Sequence, residues 1–308
     1  MNAIGIDLGG TWIKAVLLNG AGEIIAQEYR PTHGNRDPSP GPSDPSAVAV
    51  STPWKEAIRE TVDALKTKSS APVAAIGLSA PGLPNDTNTC IARMPGRLQG
   101  LELFDWSEFL GQPVHVLNDA QAATMAEFRL GAARGYTHVL MLMLGTGVGG
   151  GLILNGQLYQ GLFQKAGHLG HVCVDNQGDR DIVGIPGSLE DAIGNATVGK
   201  RSLGKYQTTY ELLEAHRHQV PFATWLWLDS IRKLAIGISS LINVFSPEVV
   251  VLGGGITQAD EQLFEPLSEF MTLYEWRPGG QAIPIVQARF GDIAGAIGAA
   301  SFAISRMQ

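Results

Sequence analysis

Short apolar runs separated by polar turns open the chain and predict three consecutive strands. The runs cover Ala3–Leu8, Trp12–Leu18 and Glu23–Tyr29, and residues 19–22 form a turn between the last two. Apolar runs joined by Gly- or Asn-rich turns are typical of antiparallel hairpins. We therefore predict a β-meander over residues 2–30.

A second hairpin of the same form lies in the middle of the chain, in MLMLGTGVGGGL (Met141–Leu152). An apolar run enters it, and another, Leu152–Leu154, leaves it. The first hairpin turns at Gly9-Gly10-Thr11 and the second at Gly145-Thr146-Gly147. Two hairpins of one form predict two related halves.

Apolar spacing along the rest of the chain alternates between helical and strand periods. Helices are predicted over residues 54–66, 105–110, 120–131, 222–243, 258–272 and 294–304, with weaker helical character over 191–220. Strands are predicted over residues 73–78, 85–94, 114–117, 248–252 and 283–288.

This order predicts an α/β protein of two related domains with a cleft between them. We expect an N-terminal domain of residues 1–118 and a larger domain of residues 119–291. The last helix, within residues 292–308, is expected to return to the first domain.

A proline-rich segment, Pro31–Pro53, interrupts the first half and contains six of the 17 prolines. It is predicted to be a loop. Two roles are possible for this segment: a lid over a substrate or a tolerated surface insertion.

Composition narrows the class of protein. The chain has 308 residues, of which 44% are hydrophobic and 17% charged, as is usual for a globular protein. Its net charge of −7 argues against a nucleic-acid-binding surface. No apolar run approaches the roughly 20 residues that cross a bilayer. Because the sequence enters a predicted strand at once, we expect no signal peptide. Two cysteines give no disulfide framework, so we expect a cytoplasmic protein.

Both Gly-rich turns are candidate phosphate-binding sites. Glycine lets backbone N–H groups approach an anion, and Thr11 and Thr146 each add a hydroxyl donor. The alternative is a hairpin tip without a ligand. Asp7, at the end of the first strand, suits Mg²⁺, which binds carboxylates together with phosphate oxygens. The chain has no GxxxxGK[ST] P-loop and no GxGxxG after its first strand.

Asp119 follows a short strand and opens a predicted helix. A carboxylate placed there is suited to take a proton from a hydroxyl that attacks phosphorus. The alternative is that Asn118 or Asp119 only caps the helix.

Three further positions each allow two interpretations. His168 and His171 could bind a metal, but hydrogen bonds to a polar substrate or to backbone are favoured because convincing further ligands are missing. Glu190 could bind substrate, or its negative charge could only interact favourably with the dipole at the start of a helix. Gly253–Gly255 could admit a nucleotide or only allow tight strand–helix packing.

Taken together, these residues resemble the ROK family (repressor, open reading frame, kinase) of sugar kinases. The resemblance rests on IGIDLGGTWIKAVL, LSAPG, VLNDAQAATMAE, LMLGTGVGGGLILNGQLYQG, AGHLGH, GSLE, VVVLGGGI and GDIAGAIGAA, in the family's order along nearly the whole chain. It implies the two-domain actin-like ATPase (ribonuclease H-like) fold of the sugar kinase, Hsp70 and actin superfamily.

The resemblance also implies the site. Asp119 corresponds to the catalytic base. The implied ATP and Mg²⁺ site comprises Asp7, Gly9, Gly10, Thr11, Lys14, Gly145, Thr146, Gly147, Gly254 and Gly255. The implied sugar site comprises Gly82, Asn118, Asp119, His168, His171 and Glu190. The family implies transfer to a hexose hydroxyl and a homodimer.

The chain departs from the family pattern in its sugar-recognition half. His168 stands where the family has the glutamate of Glu-x-Gly-His. Asp181, Val183 and Ser188 stand where the family's zinc loop has cysteines, so we expect no structural zinc. The family's sugar-binding Asn is replaced within PGRLQG (Pro95–Gly100).

Two other functions compete with an ATP-dependent hexose kinase. A sugar-responsive repressor would need a DNA-binding domain ahead of Asp7, for which we expect no room. A sugar-binding regulator with little or no turnover stays open because the sugar loop is altered. The sequence does not identify the sugar.

Overall fold

The computed structural model describes residues 1–32, 53–94 and 98–307. The predicted Pro31–Pro53 loop therefore lies almost wholly outside the described residues, as do Pro95–Arg97 of the PGRLQG segment. The chain folds into two compact units. The first unit is Met1–Leu130, Gly161–Lys165 and Asp292–Gln308, and the second is Gly131–Gln160 and Ala166–Gly291.

The first unit is built on a five-stranded mixed sheet that begins with the predicted meander. The strands of this unit are β1 (Asn2–Leu8), β2 (Trp12–Leu18), β3 (Ile24–Pro31), β4 (Val73–Ala80), β5 (Leu83–Pro84), β6 (Ile91–Arg93) and β7 (Val114–Asn118). Its helices include α1 (Pro53–Thr67), α2 (Trp106–Leu110) and α3 (Asp119–Leu130). The sheet order is β3-β2-β1-β4-β7, with β5 and β6 paired separately.

The second unit repeats this plan around the central hairpin. Its strands are β8 (Val139–Leu144), β9 (Val148–Leu154), β10 (Gln157–Leu158), β11 (Val249–Gly253) and β12 (Ile285–Gln287). Its helices are α4 (Leu189–Ile193), α5 (Val198–Arg201), α6 (Thr209–Arg217), α7 (Pro221–Phe245) and α8 (Glu261–Tyr274). The sheet order is β10-β9-β8-β11-β12.

The two sheets have matching topology. In each, the central strand (β1 or β8) pairs antiparallel with the next strand of its hairpin and parallel with a later strand (β4 or β11). A third antiparallel strand, β3 or β10, continues each hairpin. The two related halves predicted from the hairpins are confirmed by this order.

The C-terminal helix, α9 (Ala294–Ser305), packs directly on the first sheet. A Cβ on Gly5 of β1 or Gly77 of β4 would collide with backbone of Ala296 or Ala299. Glycine at these two strand positions therefore sets the close approach of the helix to the sheet. α9 therefore belongs to the first unit.

The boundary between the units differs from the predicted one after residue 118, because α3 belongs to the first unit. The reason is packing between helices. α3 lies against α9, and an added Cβ on Gly298 would collide with the Ala122 carbonyl.

One predicted element is wrong in detail. Residues 85–94 contain only the short β6, because the Asn85 side-chain oxygen accepts the Thr89 N–H at 2.8 Å and folds this segment into a turn. Over residues 191–220, where the sequence predicts weak helical character, the structure has the end of α4, the short 3₁₀ helix Asn195–Thr197, α5 and α6. Among the described residues, no helix is both long enough and apolar enough to span a membrane.

Candidate functional site

Asp7 sits near the end of β1, between Lys14 on β2 and Ser79 on β4. The Ser79 hydroxyl donates a hydrogen bond to Asp7 Oδ1 at 2.8 Å. A side chain on Gly295 of α9 would collide with this carboxyl group, so the helix start closes over it. Burial raises the pKa of Asp7 to about 6, partly opposed by the Ser79 hydrogen bond and reinforced by the nearby charge of Asp119.

The first Gly-rich turn is held from outside the hairpin. Gly9 N–H donates to the Trp12 carbonyl at 3.0 Å, and the Thr32 hydroxyl donates to the Gly9 carbonyl at 2.8 Å. Thr32 N–H also donates to the Thr11 carbonyl. An added Cβ on Gly10 would meet nothing within 4 Å, so open space lies beside the tip of the turn.

Lys14, a predicted ATP-site residue, pairs with Asp292 in the same unit. Its Nζ lies 3.0 Å from both the carbonyl and a carboxylate oxygen of Asp292. This contact ties β2 to the turn that precedes α9.

Asn118 and Asp119 occupy the junction between β7 and α3. The side-chain oxygens of both residues accept the Ala120 N–H, at 3.0 Å and 2.8 Å, so the predicted helix cap is present. Asn118 Nδ2 also donates to the Gly82 carbonyl at 3.0 Å, which places these two predicted sugar-site residues together. Asp119 is exposed, and capping therefore leaves its carboxylate accessible to a substrate.

The pKa of Asp119 is raised above its usual value. The protein packed around the carboxylate is the main cause, and hydrogen bonds from Ala120 and Asn118 oppose it. The first unit thus brings Asp7, Asn118, Asp119 and Gly82 to the carboxyl ends of neighbouring strands.

The second Gly-rich turn is joined to the start of α4. Gly145 N–H donates to the Gly147 carbonyl at 2.9 Å, which closes the turn. The Val148 N–H donates to Glu190 Oε2 at 2.9 Å. An added Cβ on Gly147 would collide with the Glu190 carboxylate, so glycine is required for this contact.

Gly254 lies against the same hairpin. It has φ of +89°, and an added Cβ would collide with the Leu144 carbonyl at the end of β8. An added Cβ on Gly255 would instead meet nothing within 4 Å. Tight packing therefore explains Gly254, while Gly255 borders open space.

The two candidate histidines lie at either end of a single turn of 3₁₀ helix, Leu169–His171, whose last residue is His171. His168 precedes this turn and is half-buried. His171 Nδ1 lies 2.8 Å from Oδ2 of Asp181. Asp181 Oδ1 accepts the Val183 and Ile185 N–H groups at 2.9 Å each.

A structural zinc ion does not fit this loop. Zinc sites of this kind use thiolates and imidazoles, whereas the positions in question hold a carboxylate, a valine and a serine. The imidazole nitrogen that faces Asp181 is already hydrogen-bonded. Within the described ranges, no group of three or more His, Cys, Asp or Glu side chains is arranged to hold a metal ion.

Sequence reasoning missed four contributors to these sites. Thr32, Ser79 and Asp292 hold the first turn, Asp7 and Lys14, and each is distant in sequence from its partner, so no local pattern pairs them. Asp181 was identified at a cysteine position of the family's zinc loop but not as a partner of His171. Its separation from His171 by ten residues of irregular loop gave no periodic signal.

Comparisons with known proteins agree over nearly the whole chain. A sequence model of the ROK family matches residues 3–306. A glucokinase from Thermotoga maritima is 29% identical over an alignment 331 positions long, which covers 100% of this chain and 98% of that enzyme.

Solved structures give the same result for the fold. A ROK hexokinase from Thermus thermophilus superposes with a TM-score of 0.86 at 31% identity, covering 100% of this chain and 99% of that one. A ROK family glucokinase from Streptomyces griseus, solved with glucose and AMPPNP, superposes with a TM-score of 0.75 at 26% identity, covering 99% and 100%. These neighbours confirm the predicted actin-like ATPase fold.

Proposed function

Because this chain belongs to the ROK family, we propose that it is an ATP-dependent kinase that phosphorylates a hydroxyl of a hexose or hexose derivative. The observation that carries the proposal is Asp119, an accessible carboxylate at the carboxyl end of β7 with a raised pKa. The glucokinase and hexokinase relatives, similar over their full length, support the same activity.

Asp119 is the proposed general base. It accepts the proton of the sugar hydroxyl as that oxygen attacks the γ-phosphorus of ATP, and the bond from phosphorus to the β,γ-bridging oxygen breaks to release ADP. The raised pKa makes the carboxylate a better proton acceptor than an ordinary aspartate. The cap contacts with Ala120 hold it in place.

ATP is the proposed phosphoryl donor, with Mg²⁺. The AMPPNP complex of the Streptomyces griseus relative supports ATP binding in this fold. Asp7 would supply a hard oxygen donor of the kind that Mg²⁺ prefers, and the metal would neutralise phosphate charge. The residues proposed to hold the phosphates and adenosine are Gly9, Gly10, Thr11, Lys14, Gly145, Thr146, Gly147, Gly254 and Gly255.

The sugar is proposed to bind through the polar groups that the family resemblance implies. Asn118 and Asp119 contribute together with the Gly82 segment, and His168, His171 and Glu190 contribute further partners for its hydroxyls. Because His168 stands at a glutamate position of the family, a hexose altered near C1–C3 is proposed to be a better substrate than glucose.

One observation favours a second function, a sugar-binding regulator with little turnover. His168 stands where the family has a carboxylate, and one oxygen of Glu190 already accepts the Val148 N–H, so the second unit offers a sugar fewer free carboxylate acceptors. We also propose that the protein is a homodimer. Size-exclusion chromatography with light scattering tests this proposal.

A screen for ADP release tests the proposed function. Hexoses, hexosamines and N-acetylhexosamines are each supplied with Mg²⁺ and ATP, with a sugar-free reaction as control. At least one sugar should raise ADP release well above the control. If a sugar binds in calorimetry but no sugar raises ADP release, the regulator is the correct function.

A further inference from the structure

Asp181 lies at the centre of the loop that joins the 3₁₀ turn to α4. Its side chain is fully buried, and its two oxygens accept hydrogen bonds from different sides. Oδ1 accepts the Val183 and Ile185 N–H groups, while Oδ2 faces His171 Nδ1 at 2.8 Å. The Ser188 hydroxyl also hydrogen-bonds to this carboxylate.

The carboxylate is ionised at neutral pH. Burial alone would raise the pKa of Asp181, but hydrogen bonds from His171, Ile185, Ser188 and Val183 lower it below its usual value. An ionised carboxylate only accepts hydrogen bonds. The short contact between Asp181 and His171 therefore requires the proton to be on Nδ1 of the imidazole.

We propose that Asp181 is a positioning residue that holds His171 as the Nδ1–H tautomer, so that neutral His171 offers a sugar hydroxyl an acceptor at Nε2. The inference rests on the proposed function for the identity of the ligand. A neutral imidazole has one donor and one acceptor, and with Nδ1–H turned to Asp181 the remaining nitrogen carries a lone pair. The ring is 24% exposed, so a ligand can reach it.

This arrangement gives the outward ring nitrogen the opposite hydrogen-bonding role from the one it would have if a metal bound the same ring. A metal-bound imidazole uses one nitrogen lone pair for the ion and carries N–H on the other, which then acts as a donor. Here a carboxylate takes the place of an ion, so the outward nitrogen is an acceptor instead. The loss of the cysteine positions and the choice of sugar are thus linked through one histidine.

Nitrogen-15 NMR of the uniformly labelled, ligand-free protein tests the tautomer directly. Long-range proton–nitrogen correlations at a pH where His171 is neutral show which ring nitrogen carries the proton. The chain has seven histidines, so a spectrum of His171→Gln identifies the His171 signals by their loss. The expected result is a proton on Nδ1, and a proton on Nε2 would overturn the proposal.

The variant Asp181→Asn distinguishes the positioning of His171 from a merely structural role of Asp181 in the loop. The Asn oxygen retains the two backbone N–H bonds, so the amide NH₂ faces His171 and donates to Nδ1. The ring should then become the Nε2–H tautomer. The KM for the sugar should rise about tenfold or more because a substrate hydroxyl meets the wrong partner. The KM for ATP and the melting temperature should change little.

Asp179→Asn is the matched control, since Asp179 is an exposed aspartate of the same loop. It should leave the tautomer and both KM values unchanged. An unchanged tautomer or an unchanged sugar KM in Asp181→Asn would contradict the inference. If that variant does not fold, the wild-type spectrum decides alone. An Nδ1–H spectrum in a protein with no sugar kinase turnover would support the tautomer and contradict only the proposed function.

Discussion

The backbone N–H of Val148 donates a hydrogen bond to Glu190 Oε2 at 2.9 Å. Val148 follows the proposed phosphate-binding turn directly, and Glu190 lies in the first turn of α4 as a proposed sugar ligand. A single hydrogen bond therefore joins the proposed phosphate-binding turn to the proposed sugar ligand within one unit. Gly147 makes the contact possible because a side chain there would occupy the position of the carboxylate.

Gly147→Ala is expected to displace Glu190 without unfolding the protein. The new methyl group collides with the end of a flexible side chain, which moves at a cost of about 1 kcal/mol or less. The KM for the sugar should rise, while thermal unfolding shows a nearly unchanged melting temperature. Gly145→Ala in the same turn is the control, since its added Cβ meets open space. Equal sugar KM values in the two variants would contradict a role for this contact.

The stability of the protein should depend on pH through Asp7. Its folded-state pKa of about 6 lies above the ordinary aspartate value of 3.8, so the native state binds more protons between pH 4 and 6. Stability from this group is therefore present below about pH 4 and is lost as pH rises through 6. The loss is about 3 kcal/mol at most.

Asp7→Asn removes this titration while its oxygen can still accept the Ser79 hydroxyl. In urea denaturation without nucleotide, the variant should gain stability relative to wild type as pH rises from 4 to 7. A stability difference that is the same at every pH would show that Asp7 does not titrate in this range.

His168→Glu is expected to move sugar preference toward glucose. Glutamate only accepts hydrogen bonds, whereas neutral imidazole donates one and accepts one, so the two residues match different hydroxyl patterns. The measurement is kcat/KM for glucose and for the best sugar of the screen, in wild type and variant. The ratio should shift by about tenfold or more. An unchanged ratio would mean that His168 does not determine the sugar preference.

The purified protein is expected to contain no stoichiometric zinc. Three thiolate positions of the family loop hold Asp181, Val183 and Ser188, and Asp181 already binds His171. Metal analysis by mass spectrometry after purification without chelators checks this expectation. About one zinc per chain that survives dialysis would contradict it.

The hairpins, the returning helix and the position of Asp119 were all predictable from sequence. Their signals are local, since apolar runs, glycine turns and a strand-end carboxylate each lie within a few residues. The turn at Asn85 was mistaken for a strand because a side-chain hydrogen bond to Thr89, not an apolar period, determines it.

The partners that hold the site residues were not predictable. Lys14 meets Asp292, 278 residues away, and Ser79 reaches Asp7 only because β4 pairs in parallel with β1. The His171–Asp181 contact depends on an irregular loop, whose path no periodic pattern encodes. Sequence identified the chemistry of the candidate residues, and tertiary packing determined their neighbours.

Phosphorus-31 NMR of wild type and Asp119→Asn, with Mg²⁺, ATP and the best sugar of the screen, tests the central claim most directly. Wild type should form a sugar phosphate at the rate at which ADP appears. Asp119→Asn, which keeps a capping side chain, should form it about 10²–10⁴ times more slowly while binding ATP normally. Asp105→Asn, an equivalent change at the exposed N-cap of α2, should match wild type. Near wild-type turnover in Asp119→Asn, or ADP formed without any sugar phosphate, would contradict the account.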